Sequence, residues 1–248
     1  MGGIEAAEPY NVRAFVNRYP AMPDDRCEVV LYTSDHDATF ASLGVEGARH
    51  VVDLWADRSA ALGARDDVAY VLVFENRGAE VGATIAHPHG QIYAFDVIPP
   101  APAHEDDLFA DRAPPGADRH VASSGAWSAW AAGASSWPID LRLAPESREP
   151  DLPSLSSAHR ADLAALLVDV LGRLDSLYER PLPYMLWFHQ RPFDGREWSG
   201  PPLHAHLVSP WRDAGVARYV AAGELGSEVF FNPVAPEACA AALRATSA

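Results

Sequence analysis

The stretch Phe74–Tyr93, which reads FENRGAEVGATIAHPHGQIY, decides the fold of this chain. It ends a run of apolar residues that begins at Val68 and is mostly β-branched or aromatic, a composition typical of a buried strand. Gly78 and Gly82 follow, where the chain can turn tightly and approach a ligand closely. A second apolar run begins after HPHGQ. The stretch therefore predicts a strand, a glycine-containing loop and a second strand that opens with two histidines.

The HPHGQ segment is the clearest candidate for a site. Side chains two residues apart on a strand point the same way, so we expect His87 and His89 to face one site, with Gln91 on the same face. Pro88 stiffens the backbone, and Gly90 is expected to leave room beside His89. A neutral imidazole can act as a nucleophile, a general base or a metal ligand. The alternative is a pair of surface histidines near a turn.

Composition and charge exclude several classes of protein. The chain has 248 residues, enough for one large or two small domains, and 48% of them are hydrophobic. A net charge of −15 argues against nucleic acids and anionic membranes as partners, although it permits a nucleotide in a local pocket. No apolar run approaches the roughly 20 residues of a membrane span, and MGGIEAAEPY does not resemble a signal peptide. Two distant cysteines form no disulfide framework, so we expect a cytoplasmic protein.

An internal repeat predicts the architecture. The order strand, turn, helix, strand, loop and strand with two histidines occurs twice, ending first in His87-Pro88-His89 and then in Leu203-His204-Ala205-His206-Leu207. We expect an α+β fold with antiparallel sheets flanked by helices, a pseudo-twofold repeat, and two halves at residues 10–100 and 101–248 whose sheets can join. Periodicity predicts helices over 45–62, 159–178 and 235–245 and near 105–109, and strands over 12–19, 28–33, 68–74, 126–132, 139–143, 184–189 and 203–208.

The FENRG…HPHGQ combination resembles the galactose-1-phosphate uridylyltransferases, a branch of the histidine-triad nucleotidyl transferases. With gaps, the resemblance runs from about residue 15 to about residue 244. It implies two histidine-triad-like halves and a homodimer. It also implies an enzyme of galactose metabolism that exchanges a nucleoside monophosphate, UMP, between a nucleotide-sugar and a hexose 1-phosphate. In this family the nucleotide passes through a covalent nucleotidyl-histidine.

The resemblance assigns roles to individual residues. His89 matches the nucleophile, whose other ring nitrogen is expected to donate to a backbone carbonyl, and Gln91 matches a donor to a phosphoryl oxygen. His87 is expected to support His89 through its backbone carbonyl. The positions that match substrate-binding residues of the family are Asn17, Asn76, Gly82, Thr84, Arg218, Tyr219 and Glu224. Two of these keep simpler alternatives: an ordinary loop hydroxyl for Thr84 and a solvated charge at a strand end for Glu224.

Two metal sites are also implied by the resemblance. The ligands of the first are Glu105, His189, His204 and His206, whose three imidazoles and one carboxylate suit zinc or iron. In the second, His36 and His87 match two ligands that the family completes with a CxxC pair, and this sequence contains no CxxC. A hydrogen bond from His36 that caps its turn is the alternative.

The family's opening segment, which carries CxxC and residues around the nucleobase, has no counterpart in this sequence. This motivates three other expectations. The first is a nucleotide-sugar hydrolase, in which water replaces the sugar phosphate. The second is a nucleotidyltransferase of a specialised pathway. The third is a binding subunit, the C-terminal part of a split transferase.

Overall fold

A computed structural model of the chain describes residues 10–105, 118–178 and 180–246. In this part of the chain, strands β1 to β9 form one antiparallel sheet. They are β1 (Arg13–Val16), β2 (Cys27–Leu31), β3 (Tyr70–Arg77), β4 (His89–Phe95), β5 (His120–Ser124), β6 (Trp127–Ala131), β7 (Ile139–Pro145), β8 (Tyr184–His189) and β9 (His204–Ser209). Two further strands, β10 (Trp211–Asp213) and β11 (Val216–Ala217), pair with each other.

The helices among the described residues are α1 (Gly44–Gly63), α2 (Pro100–His104), α3 (Ser157–Leu177), α4 (Ala222–Ser227) and α5 (Pro236–Ala245). Short 3₁₀ turns occupy Ala41–Leu43 and Ala79–Val81. The three longest helices confirm the helices predicted from periodicity. A helix was also predicted near residues 105–109. Residues 106–109 of it lie outside the described residues, and Glu105 follows the end of α2.

The strand order of the sheet confirms the predicted α+β class and the joining of two halves. The order is β1-β2-β4-β3-β8-β9-β7-β6-β5, so β1-β2-β4-β3 read from one side corresponds to β6-β7-β9-β8 read from the other. The join is an antiparallel pairing of β3 with β8, in which Phe74 lies opposite Trp187. In each half a long helix follows the second of these strands, α1 after β2 and α3 after β7. The topology therefore has a pseudo-twofold axis between β3 and β8.

The hydrophobic core lies between the sheet and the packed pair α1 and α3. Alternation along β3 shows this directly, because Val71 and Val73 are buried toward the helices while Leu72 and Phe74 are half-buried on the other face. On α1, Trp55 is fully buried and its ring lies 5.3 Å from that of Phe188 in β8. The sheet face away from the helices is called the open face below.

No helix among the described residues combines the length and apolarity needed to cross a bilayer. Both cysteines, Cys27 and Cys239, are buried free thiols.

Candidate functional site

The central position of β4 in its half places the HPHGQ residues on the open face. β4 lies between β2 and β3, and its residues alternate between half-buried and buried from His89 onward. His89 and Gln91 are on the half-buried open face, whereas Gly90 faces the helices. Because strand residues two apart lie about 7 Å from each other on one face, both side chains can contact one bound phosphate.

The His89 ring is held in a defined tautomer by the backbone. Its Nδ1 lies 2.8 Å from the carbonyl oxygen of His87, and a carbonyl can only accept, so Nδ1 carries the hydrogen. The lone pair is therefore on Nε2, the atom farthest from the backbone. This is the hydrogen bond expected from the sequence, and it gives the backbone of His87 a supporting position behind the imidazole.

The ring of His87 has hydrogen-bond partners of its own. β4 begins at His89, so His87 precedes the strand and its ring is not constrained to the open face. Its Nε2 lies 2.8 Å from the Thr33 carbonyl and its Nδ1 lies 2.8 Å from Nδ1 of His36. Burial lowers the pKa of His87, and the neighbouring His36 and His89 lower it further, against the hydrogen bond to Thr33, which raises it. The strand that was predicted to open with both histidines therefore begins only at the second one.

The expectation that Gly90 leaves room beside His89 was wrong. A Cβ on Gly90 would lie 2.2 Å from the hydroxyl oxygen of Tyr32 and 3.0 Å from the carbonyl oxygen of Phe74. The missing side chain thus makes room for the Tyr32 hydroxyl on the core side of β4. It does not open space beside His89, which lies on the opposite face.

Three of the predicted phosphate-contacting side chains have free hydrogen-bonding groups. Asn76 is half-buried on β3, on the same face as Phe74, which pairs with Gln91 across the strands. Thr84 is exposed in the segment that leads back toward β4. Among the described residues, no hydrogen bond engages the side chains of Asn76, Thr84 or Gln91. Gly82 in the same loop has φ of +87°, a left-handed conformation that favours glycine.

Asn17 lies just beyond β1, the edge strand of this half. Its backbone N–H donates to the Cys27 carbonyl at 2.8 Å, and its side-chain oxygen accepts from the N–H of Tyr19 at 3.0 Å. In the sheet register Arg13 of β1 lies opposite Leu31, which lies opposite His89. Asn17 is instead level with Cys27, which lies opposite Tyr93, four residues along β4 from His89.

The second histidine group converges as the sequence predicts. His189 of β8 pairs with His204 of β9, and His206 follows on the same face. The donor atoms of these three residues and of Glu105 all lie within 4.8 Å of one another. The Glu105 carboxylate lies 2.5 Å from His189 Nδ1, 3.2 Å from His204 Nε2 and 3.0 Å from His206 Nε2. Among the described residues this is the one such group of three or more possible ligands, so the His36–His87 pair has no third ligand there.

The donor set fits a divalent metal ion. Nε2 of His204 and Nε2 of His206 are 3.0 Å apart, and two such nitrogens need a proton or a cation between them. An ion about 2.1 Å from each nitrogen satisfies this spacing. Nδ1 of His204 lies 2.8 Å from the Pro202 carbonyl, which leaves Nε2 as the ligand atom, and the Trp187 ring stacks on His206 at 4.7 Å.

The electrostatics of this group also favour a cation. Burial raises the pKa of Glu105, but hydrogen bonds with His189, His204 and His206 outweigh it, so that the pKa is held far below its usual range. Burial lowers the pKa of His206 well below its ordinary value, and Arg142, opposite it on β7, lowers it further. An ionised carboxylate beside a neutral imidazole is the state that binds a metal. A cavity of about 470 Å³ borders the group and gives an ion access to it.

The C-terminal candidates are not on the sheet. Arg218 and Glu224 are buried and paired with each other, and Glu224 lies in α4. The side chain of Glu224 also accepts from the N–H groups of Ala221 and Phe231, both at 2.9 Å, and these two bonds lower its pKa. The alternative of a solvated strand-end charge was therefore wrong. Tyr219, next to Arg218, is 85% exposed.

One buried group near the site escaped the sequence analysis. Glu75, the second residue of FENRG, lies on the core side of β3 and is 4% exposed, with its carboxylate between the hydroxyls of Tyr32 and Tyr184. A charged residue inside an otherwise apolar alternating strand is the signal that marks it. The identity of its partners is set by pairing between distant strands, which the sequence does not show.

Comparisons with known proteins point to one family. The profile described as "Galactose-1-phosphate uridyl transferase, N-terminal domain" matches residues 10–99, and that for the C-terminal domain matches residues 103–245. The galactose-1-phosphate uridylyltransferase of Streptomyces lividans is 40% identical over 220 residues, which are 80% of this chain and 62% of that protein. Its counterpart in Thermotoga maritima is 32% identical over 279 positions, covering 99% of this chain and 88% of that protein.

Solved structures agree with this fold. A structure described as "Structure of uridylyltransferase" superposes with a TM-score of 0.87 at 26% identity, covering 98% of this chain and 88% of that one. A galt-like protein from Arabidopsis thaliana gives a TM-score of 0.84 at 21% identity, covering 96% and 84%, which supports the fold alone. The chain thus spans less than two thirds of the Streptomyces relative and nearly nine tenths of the Thermotoga one.

Proposed function

The chain belongs to the galactose-1-phosphate uridylyltransferase family, and we propose that it transfers UMP between a nucleotide-sugar and a hexose 1-phosphate through a nucleotide bound to His89. The observation that carries the proposal is the His89 ring itself. Its Nδ1–H is engaged by the His87 carbonyl at 2.8 Å, so the Nε2 lone pair is available on the open face.

Two similar displacements at phosphorus make up the reaction. Nε2 of His89 attacks the α-phosphorus of a UDP-hexose, a nitrogen–phosphorus bond forms, and the bond from phosphorus to the bridging oxygen breaks. The hexose 1-phosphate leaves with both electrons of that bond. A phosphate oxygen of a second hexose 1-phosphate then attacks the same phosphorus and displaces His89. One pocket serves both steps because their reactants differ only in the sugar.

Hydrogen-bond donors proposed to surround His89 can stabilise negative charge on the oxygens of the transferred phosphoryl group. The side-chain amides of Gln91 and Asn76 and the hydroxyl of Thr84 are free among the described residues, and each can donate to a phosphoryl oxygen. Such preorganised donors stabilise charge that develops in the transition state, which is the main catalytic contribution available in phosphoryl transfer. Asn17, at the edge strand, is proposed to contact the nucleoside, and Gly82 allows the loop to approach the phosphates.

The sugar side of the pocket is proposed to involve the C-terminal segment. The names of the Streptomyces and Thermotoga relatives support galactose 1-phosphate as a substrate and uridylyl as the transferred group, and UDP-glucose is proposed as the nucleotide-sugar. Arg218 supplies a buried cation beside Glu224, and its Nη1 is buried without a hydrogen-bond partner among the described residues, so it can donate to a phosphate or a sugar hydroxyl. Tyr219 is exposed next to it.

The metal group is proposed to hold zinc or iron. Glu105, His189, His204 and His206 would be the ligands, and a closed set of four protein donors is typical of a structural site. Such an ion would cross-link β8, β9 and the end of α2. The His36–His87 pair is not assigned an ion.

A homodimer and a cytoplasmic location complete the proposal. Large apolar side chains are exposed on one segment after the last strand, with Phe231 69% and Leu225 68% exposed beside Tyr219. Exposed apolar side chains of this kind suit contact with a second copy of the chain. The buried free thiols suit a reducing compartment. We further propose that residues 10–100 and 101–248 are the two halves of the pseudo-twofold repeat, which the strand order supports.

An exchange assay tests the function. The purified chain is incubated with radiolabelled UDP-glucose, with and without galactose 1-phosphate, and the products are separated. We expect UDP-galactose only when the sugar phosphate is present, and no product from His89→Ala. His50→Ala, a histidine on α1 outside both histidine groups, is the matched control. Release of UMP without sugar phosphate at the same rate would instead identify a hydrolase.

A further inference from the structure

Glu75 is a buried carboxylate directly behind the nucleophile strand. It sits on β3 between Phe74 and Asn76 and points into the core, where it is 4% exposed. The Tyr32 hydroxyl donates to one carboxylate oxygen at 3.0 Å and the Tyr184 hydroxyl donates to the other at 2.6 Å. The carboxylate therefore connects the end of β2, the middle of the sheet and the start of β8.

Tyr32 carries this connection to both neighbours of His89. Its backbone N–H donates to the Pro88 carbonyl at 3.3 Å. Its hydroxyl fills the place of the missing side chain at Gly90, where a Cβ would come within 2.2 Å. Pro88 and Gly90 flank His89, so the main-chain and hydroxyl ends of Tyr32 contact the backbone on each side of the nucleophile.

The surroundings leave Tyr32 no other position. Its ring meets the ring of Phe40 edge-on at 5.4 Å and that of Trp55 at 5.9 Å. Burial and the neighbouring Glu75 raise the pKa of Tyr32 well above its ordinary value, so the hydroxyl remains a donor. The hydrogen bond to Glu75 thus orients the Tyr32 hydroxyl, which packs against Gly90 of β4.

Three polar or charged side chains face Glu75. They are Tyr32 after β2, Tyr184 of β8 and Arg77 of β3, and Arg77 is paired in turn with Asp175 of α3 at 2.6 Å. Among these described neighbours Arg77 is the nearest compensating charge, and it is engaged by Asp175. The carboxylate is therefore held mainly by its two tyrosine hydroxyls.

We propose that Glu75 and Tyr32 act as a positioning pair that holds the backbone on both sides of His89, and with it the Nδ1–H form of the ring. The inference rests on the proposed role of His89 as nucleophile. The pair touches neither substrate nor reacting atoms. The pair acts on His89 by holding the backbone that places the His87 carbonyl 2.8 Å from Nδ1 of His89, at hydrogen-bond distance.

The test uses three variants: Glu75→Gln, Tyr32→Phe and the double variant that carries both changes. Each is compared with a control variant, Glu28→Gln. Glu28 is a matched control because it is also a buried carboxylate, 5% exposed, on the core side of the neighbouring strand β2, where it pairs with Arg58 of α1. Two readouts are taken well below each variant's melting temperature. The first is the single-turnover rate of protein labelling by radiolabelled UDP-glucose. The second is the tautomer of His89, read from nitrogen-15 correlations of the imidazole.

We expect each single variant to slow labelling at least tenfold and to add the Nε2–H tautomer of His89. The double variant should lose no more than the worse single variant, because both changes break one connection. Glu28→Gln should keep the wild-type rate and tautomer. Wild-type rate and tautomer in Tyr32→Phe and Glu75→Gln, or losses that multiply in the double variant, would overturn the proposal. If the wild-type protein is never labelled, the proposed function fails, and the tautomer measurement still decides the positioning role.

Discussion

Replacing the buried Glu75 by glutamine should change how the stability of the protein depends on pH. Burial raises the pKa of Glu75 from 4.5 to about 7, against the hydrogen bonds of Tyr184 and Tyr32 and the charge of Arg77, which lower it. Because the folded pKa is the higher one, the stabilising contribution of the protonated group is complete below 4.5. It is lost as the pH rises toward 7, where the folded carboxyl also ionises.

The size of the effect follows from the two pKa values. Between pH 5 and pH 8, a carboxyl that titrates near 7 when folded and near 4.5 when unfolded removes roughly 2.5 kcal/mol from the free energy of unfolding. Glu75→Gln cannot ionise, and its amide offers one acceptor oxygen where the carboxylate offers one to each tyrosine hydroxyl, so its contribution stays constant between these pH values. Relative to the variant, the wild-type protein should therefore lose about 2.5 kcal/mol between these pH values.

The assay is urea denaturation of both proteins at half-unit intervals from pH 5 to pH 8. Only the difference between the two free energies is interpreted, since every other titrating group is common to both. Glu28→Gln serves as the control, because it removes a buried carboxylate that is paired with Arg58. A constant difference between wild type and Glu75→Gln across the whole range would refute the account of this carboxyl.

Three further changes test the site and its supports. Gly90→Ala should cost about 1–3 kcal/mol of folding free energy in urea denaturation, because the new methyl group overlaps the Tyr32 hydroxyl, and an unchanged midpoint would contradict that packing. Dialysis against a chelator should lower the melting temperature, and Glu105→Gln should reduce the bound metal measured by inductively coupled plasma mass spectrometry; equal metal content in both proteins would count against the ligand set. Arg218→Ala should lower the melting temperature, because it leaves the buried Glu224 without its cation, and a wild-type melting curve would disprove their coupling.

The main features of the sheet could be predicted because local patterns dominate there. The apolar run that ends at Phe74 and the second apolar run after HPHGQ indicate two neighbouring strands. The structure pairs these strands with Phe74 opposite Gln91. The repeat of strand order also followed from the two histidine motifs. His204 and His206 converge because they are two residues apart on one strand. His189 joins them through the pairing of β8 with β9, and Glu105 joins them from the end of α2; both were indicated by resemblance alone.

The errors near the nucleophile have a common cause. A strand was extended back to His87, but the chain enters β4 only at His89, where the ladder with Leu31 begins, so the His87 ring is free to turn toward Thr33. Gly90 was expected to leave room beside His89, whereas it makes room for the hydroxyl of Tyr32, which comes from a distant segment. The short helix α4 escaped prediction because it is stabilised by its own buried ion pair rather than by an apolar stripe.

The most direct measurement is the location of the covalent nucleotide. The protein is mixed with UDP-glucose, quenched in alkali to preserve a phosphoramidate, digested and mapped by mass spectrometry. A uridylyl group should be found on His89, and a chase with galactose 1-phosphate should remove it. A nucleotide on any other residue, or full transfer activity in His89→Ala, would contradict the account.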